Sequence, residues 1–185
     1  MLADLTSGDE ARAEAAAGRL AGLGAAALPD LTALLASAEA DRRWWALRTL
    51  AQIPAVDTGV FVRALVDTSA EVRQAAALAL VQNPRESAAP DLVRALQDPD
   101  ALAATLAAKA LVKLGSASVP ALIDAAGNGP QGRRIHALQA LAEIRDPRAI
   151  PVMMRVMEEG SAALQYWAEE GLQRLGLNMV YIKPG

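Results

Sequence analysis

Leucine recurs along this chain with a period that few folds accommodate: Leu20, Leu50, Leu80, Leu111, Leu141 and Leu172 lie 30, 30, 31, 30 and 31 residues apart. Four residues before each stands an alanine: Ala16, Ala46, Ala76, Ala107, Ala137 and Ala168. Both columns hold in every copy. Three residues after each leucine, a third column of Leu23, Ile53, Asn83, Leu114, Ile144 and Leu175 is apolar in five of six copies. Offsets of −4, 0 and +3 share one face of a 3.6-residue helix, so these three columns are expected to form the buried stripe. A period of roughly 20–50 residues is the signature of stacked repeats, in which each unit buries its apolar face only against its neighbours.

A second series falls between these helices. Pro29, Gly59, Pro90, Pro120 and Pro151 are spaced by 30, 31, 30 and 31 residues and open apolar segments such as "PDLTALL" and "PDLVRAL". Proline suits the first turn of a helix, where its missing N–H would have had no intrahelical partner. Each unit therefore reads as helix A, a short turn and helix B. Asp41, Ser69, Asp100 and Ser161 are candidate caps near B-helix starts, and Gly24, Gly115 and Gly176 follow B-helix ends. The expected organisation is a single domain over 1–185: an unpaired helix at about 8–22, pairs at about 28–53, 57–82, 87–114, 117–144 and 147–175, and a tail at 176–185. The tail contains Met179, Val180, Tyr181 and Ile182, apolar enough to cap the last repeat or to dock a partner or a second copy, with capping the preferred expectation.

Composition agrees with helices. The chain is 53% hydrophobic but only 3% aromatic, and a core built from Ala and Leu favours helix over strand. The invariant alanine places a methyl group where helix axes come close, and a larger side chain there would overpack the stack. A formal charge of −3 gives no basic excess to draw the chain onto nucleic acid or an anionic membrane. Without cysteine there is no disulfide framework, thiolate nucleophile or Cys-type zinc site. The N-terminus lacks a signal-peptide pattern and no apolar run is long enough to span a bilayer, so a complete, soluble, cytoplasmic chain is expected.

The segments "DPRAIPVMMRVMEEGSAALQYWAEEGLQRLG" at 146–176 and "SAEVRQAAALAL" at 69–80 resemble HEAT repeats, in particular the short bacterial, phycobilisome-lyase-like type. Asp146, Pro147, Ile150 and Pro151 match that family's A-helix opening, and Val72, Arg73, Ala76, Ala77, Ala79 and Leu80 match its B helix. The resemblance implies an all-α, right-handed α-α solenoid of about five and a half HEAT-like helix pairs, with B helices lining the concave side. Two departures stand out. The Val-Arg pair becomes Arg42-Arg43, Ala103-Ala104, Arg133-Arg134 and Leu164-Gln165 elsewhere, and Asn83 before Pro84 is expected to end the third B helix early.

Positions −6 and −2 from each leucine point away from the predicted stripe. They read Glu14, Trp44, Gln74, Thr105, Ile135, Tyr166 and Gly18, Arg48, Leu78, Lys109, Gln139, Glu170. Aromatic and large apolar residues occur where a purely solvated face would carry charge. Trp44, Arg48, Gln74, Leu78, Lys109, Ile135, Gln139 and Tyr166 are therefore the candidate partner-binding residues, with Trp44, Leu78, Ile135 and Tyr166 as an apolar strip for a partner helix or peptide. The competing reading is that Trp45 and Trp167 fill gaps between A and B helices while Trp44 and Tyr166 lie over neighbouring side chains. Arg43, Arg48, Lys109, Lys113, Arg133 and Arg134 flank the same faces, interleaved with Glu143, Glu169 and Glu170, and read as a mixed solvated surface before they read as a site for an acidic partner.

Catalytic signatures are weak. The lone His136 has no metal-ligand neighbours at suitable spacing and reads as structural. "GNGPQG" at 127–132 lies between two helices and reads as a lengthened loop, not a phosphate cradle. Adjacent carboxylates such as Glu158-Glu159 diverge on a helix and cannot pair as acid and base. No catalytic residue, metal or cofactor is assigned. A non-catalytic scaffold that binds a protein or peptide is expected, with no membrane or nucleic-acid partner and no reading of oligomeric state. The alternative raised by the resemblance is a phycobilin-lyase-like or HEAT-like DNA glycosylase-type enzyme.

Overall fold

The computed structural model describes residues 1–159 and 161–177; most of the tail, including Met179 to Ile182, lies outside the described residues. The fold is all-α, with no strand among the described residues. Its contacts group into two compact units, Met1–Ala88 and Ala89 onward.

The first unit contains α1 (Leu2–Leu5), α2 (Glu10–Gly22), α3 (Leu28–Leu34), α4 (Ala40–Leu50), α5 (Gly59–Ala64) and α6 (Ala70–Gln82). The B helix α4 packs between B helices α2 and α6, with A helix α3 against α4 and A helix α5 against α6. In the second unit are α7 (Ala89–Ala95), α8 (Ala101–Leu114), α9 (Val119–Gly127), α10 (Gln131–Ile144), α11 (Ile150–Met157) and α12 (Ala162–Arg174). Here α10 packs between α8 and α12, and α9 contacts both α7 and α11. Each A helix except α5 carries its proline as the second residue, preceded in α3, α7, α9 and α11 by a short 3-10 turn.

Local chemistry explains most boundaries. Asp9 accepts the Arg12 N–H at 3.0 Å, Ser69 accepts that of Val72 at 3.4 Å and Asp100 accepts that of Ala103 at 2.8 Å, so three B helices begin at side-chain caps. Asp41 instead lies inside the first turn of α4, whose N-cap is Glu39, and Ser161 accepts a bond from Gln131 Nε2 at 3.0 Å without capping its own helix. At the end of α12 the N–H of Leu177 reaches Leu172 O at 2.9 Å and that of Gly176 reaches Gln173 O at 2.9 Å, a Schellman pattern that requires the left-handed φ of +83° at Gly176. The third B helix does not stop early. It runs to Gln82, and the shortest B helix is α4, which ends at Leu50. Asn83 contributes instead through its amide, which donates to Ala51 O at 3.1 Å and ties the end of α6 to the end of α4.

The alanine column is fully enclosed: all six members are 0% exposed. Its leucine partners are also buried, each stabilising the fold by about 2 kcal/mol through removal from water. The +3 column behaves differently from expectation. Ile53 is buried, but Leu23 is 48% exposed and Leu114, Ile144 and Leu175 are half-buried. These positions fall on the last residue of a B helix or just beyond it. The stripe is completed at −1, where Thr49, Ala79, Ala110, Ala140 and Gly171 are buried. Small residues in five of six copies were the legible signal for that column. Thr49 satisfies its hydroxyl by donating to Trp45 O at 2.7 Å. The facing A-helix column is Leu31, Phe61, Leu92, Leu122 and Met153, every one buried.

A polar ladder runs beside this core at seven residues before four of the six leucines, Ala13 and Ala104 taking that place in the other two copies. Arg43 Nη1 donates to Ser37 O at 2.9 Å and Ala38 O at 3.0 Å, while its Nε and Nη2 form a fork on the Asp67 carboxylate at 2.8 and 2.7 Å. Arg73 Nη1 donates in the same way to Asp67 O at 2.9 Å. Arg134 reaches Ala126 O at 2.8 Å and Glu159 at 2.6 Å, and Gln165 reaches Met157 O at 3.1 Å. The side chain thus closes off carbonyls in the last turn of its own A helix or in the turn that follows it. In Arg43 and Arg134 it also grips a carboxylate in the following repeat. Arg43 and Arg134 are not members of a solvated face: their side chains are only 13% and 14% exposed.

These contacts set an acid sensitivity. Burial opposes ionisation of Asp67 most strongly, but the Arg43 guanidinium and the Ser69 N–H outweigh it and hold the carboxyl below its usual range. The Arg134 hydrogen bond lowers Glu159, and the Arg148 side chain and N–H lower Asp146 to about 2. Because the folded values are depressed, the folded state binds fewer protons than the unfolded one below pH ~4. Stability from these groups is complete above the ordinary carboxylate range and is lost as pH falls through the folded values. Urea unfolding midpoints are therefore expected to be level between about pH 6 and 5 and to fall steadily from about pH 4 toward 2. A midpoint unchanged down to pH 2 would contradict the ladder.

Candidate functional site

The B helices keep their −6 and −2 positions out of the core. None of Trp44, Arg48, Gln74, Leu78, Lys109, Ile135, Gln139 and Tyr166 is buried; Tyr166 is 59% and Leu78 42% exposed. Trp45, one position along from Trp44, is 6% exposed and packs inside. Adjacent helix positions are about 100° apart, which divides the Trp pair between core and surface. Trp167 is half-buried beside the exposed Tyr166. Both pairs adopt edge-to-face geometry, with ring centroids 4.8 Å apart for Trp44 and Trp45 and 5.1 Å for Tyr166 and Trp167.

In the first unit Trp44 and Gln74 come together in a groove of about 530 Å³ at the N-terminal ends of α2, α4 and α6. Trp44 and Trp45 supply its aromatic surface, and Glu10, Asp41 and Glu71 supply carboxylates; no Lys, Arg or His lines it. Arg48 stands apart from the lining. Its guanidinium carbon lies 5.3 Å from the Trp44 ring centroid, and its fork is held by Glu14 at 3.0 and 3.1 Å. Leu78, two residues before its leucine, lies on the same helix face but outside the groove.

In the second unit a groove of about 260 Å³ brings Lys109 and Gln139 together with His136, Glu143, Trp167 and Arg174. Arg174 is engaged by Glu170 at 2.7 Å. His136 Nδ1 lies 3.0 Å from Leu96 O, so this nitrogen carries the proton and donates, and the imidazole links α10 to the end of the α7 segment. Ile135 and Tyr166 are outside this groove. The eight candidates therefore divide among two grooves and four separate surface positions.

Sequence reading missed Glu10, Asp41 and Glu71. The available signal was an asymmetry between copies: the first turns of α2, α4 and α6 each carry an acidic residue, and those of α8, α10 and α12 carry none. Among the described residues no group of three or more His, Cys, Asp or Glu side chains is gathered closely enough to hold a metal ion. No described helix is long and apolar enough to cross a membrane.

Paired antiparallel helices with a 30-residue register, alanine-packed B helices and an outward B-helix face define an α-solenoid repeat protein. The HEAT repeats model matches residues 58–141 and the PBS lyase HEAT-like repeat model matches residues 134–159; the chain is a HEAT-repeat protein of the short, phycobilisome-lyase-like type. It is 35% identical over 92 residues to phycocyanobilin lyase subunit beta of Nostoc sp., an overlap of 49% of this chain and 45% of that protein. The chain spans about half the length of the curated relatives it matches. Among solved structures it is similar to a chain of the complex of CpcE and CpcF of phycocyanin lyase from Nostoc sp., with 20% identity, TM-score 0.56 and coverage of 95% of this chain and 75% of that one. A designed armadillo repeat protein in complex with the peptide (KR)4 matches with 18% identity, TM-score 0.53 and coverage of 94% and 97%. At such identities the structural likenesses show the fold alone.

Proposed function

We propose that this chain is a non-catalytic binding module that holds a protein or peptide partner on the outward faces of its B helices. The observation that carries this reading is that Trp44, Leu78, Ile135 and Tyr166 remain solvent-accessible although the core has closed over every alanine and leucine of the repeat. Aromatic side chains in such positions are the residues that dominate interface energetics. That related folds occur in a two-subunit complex and in a peptide complex supports a proteinaceous partner. In the test, the chain and a Trp44→Ala, Tyr166→Ala double variant are used to co-purify partners from the cells that express the chain. The variant is expected to melt within a few degrees of the parent and to lose the partner. Equal capture by both would remove the aromatic residues from the interface.

A second reading, favoured by the sequence relationship to a phycocyanobilin lyase subunit, is a role as one subunit of a bilin lyase. It predicts that the chain, together with a complementary subunit, takes up a phycobilin with a change in visible absorption. A glycosylase-type reading gains nothing from the larger groove, whose carboxylates would repel a phosphate backbone.

A further inference from the structure

Resting on the binding-module reading, we propose that the groove of the first unit receives lysine or arginine side chains of the partner, which docks there through an exposed basic segment. Charge complementarity decides the occupant. Three helix N-termini meet at this groove, and each contributes roughly half a positive charge, about +1.5 in all. Glu10 and Asp41 contribute two full negative charges, Glu71 adds a third carboxylate to the lining, and no Lys, Arg or His is among the lining residues. The local balance is therefore negative even after the helix ends are counted. Among the described residues neither Glu10 nor Asp41 has an ion-pair partner, whereas Asp9, Asp67 and Asp146 elsewhere are engaged as caps or by arginine.

The form of the cation follows from the spacing and the aromatic surface. The three carboxylates are too dispersed to chelate a metal ion. They suit instead several cationic groups carried along one chain. The Trp44 ring already holds one guanidinium, that of Arg48, 5.3 Å from its centroid, so cation–π contact is available to this indole. The apolar stems of lysine and arginine would lie along Trp44 and Trp45 while their charged ends reach the carboxylates. The second unit's groove lacks this character, since Lys109 and Arg174 outnumber Glu143 there.

The probe is a dye-labelled short peptide of alternating lysine and arginine, followed by fluorescence anisotropy at about 50 mM salt, where surface attraction is only moderately screened. Saturable binding is expected, with a shift of tryptophan emission because two of the three tryptophans line the groove. Glu10→Gln with Asp41→Asn is expected to weaken binding at least tenfold while leaving the melting curve near that of the parent. In the unmodified chain, the peptide with its lysines acetylated and its arginines replaced by glutamine is expected not to bind, which keeps the test decisive if the variant folds poorly. Failure of the basic peptide to bind, undiminished binding to the double variant, or equal binding of the uncharged peptide overturns the proposal. If partner capture is lost in Trp44→Ala, Tyr166→Ala but survives Glu10→Gln, Asp41→Asn, the groove proposal fails while the binding-module reading stands.

Discussion

Arg43→Ala is expected to destabilise the fold by about 3 kcal/mol, whereas Arg42→Ala, one position earlier, changes stability by less than about 0.5 kcal/mol. The two side chains have the same chemistry and opposite surroundings. Arg42 makes an exposed pair with Glu39 at 3.0 Å, one turn away on the same helix. Arg43 is 13% exposed, closes off two carbonyls in the turn that follows its own repeat's A helix and forks onto Asp67 in the next repeat. Removing it leaves a part-buried carboxylate without its cation and two carbonyls without donors, which is the expensive way to break an ion pair. Urea unfolding of both variants checks this, and equal, small losses would place Arg43 on the solvated surface after all.

Ala107→Leu is expected to lose about 3 kcal/mol and to lower the thermal midpoint by about 6–12 °C. Ala107 is 0% exposed in the middle of α8, which packs against α7 and α10. Every other member of its column is equally enclosed, so a larger side chain has no empty space to enter and must push helix axes apart. Leu102→Ala on the same helix is the contrasting variant. It removes the same three carbons that Ala107→Leu adds, but Leu102 is 52% exposed, and the change is expected to stay within about 0.5 kcal/mol. If Leu102→Ala proved the more damaging of the two, the assignment of the packed face of α8 would be wrong.

Much of the candidate surface was legible in advance because a helix converts spacing into direction. Once Leu80 and Ala76 are placed inward, Gln74 and Leu78 must point away, and all eight residues chosen on that basis avoid burial. The same logic misjudged the column containing Leu23 and Leu114, which falls on the last residue of a B helix or just beyond it and is not enclosed there. It also overlooked Thr49, Ala79 and Ala110, small residues whose inward position reveals itself only when the stripe is known to be three columns wide toward −1. Arg43 and Arg134 were grouped with surface cations because periodicity says where a Cβ points. It does not say where a long side chain ends.

By itself the sequence determined the helix pairs, the close B-helix packing and the family, since period, alanine spacing and proline placement are each properties of short segments read in order. Only the tertiary structure decided which arginines are structural and which carboxylates surround Trp44. Asp67 lies 24 residues from Arg43, and Glu10, Asp41 and Glu71 belong to three successive B helices. Contacts at that separation depend on how repeats stack, and no local pattern in a single copy encodes them.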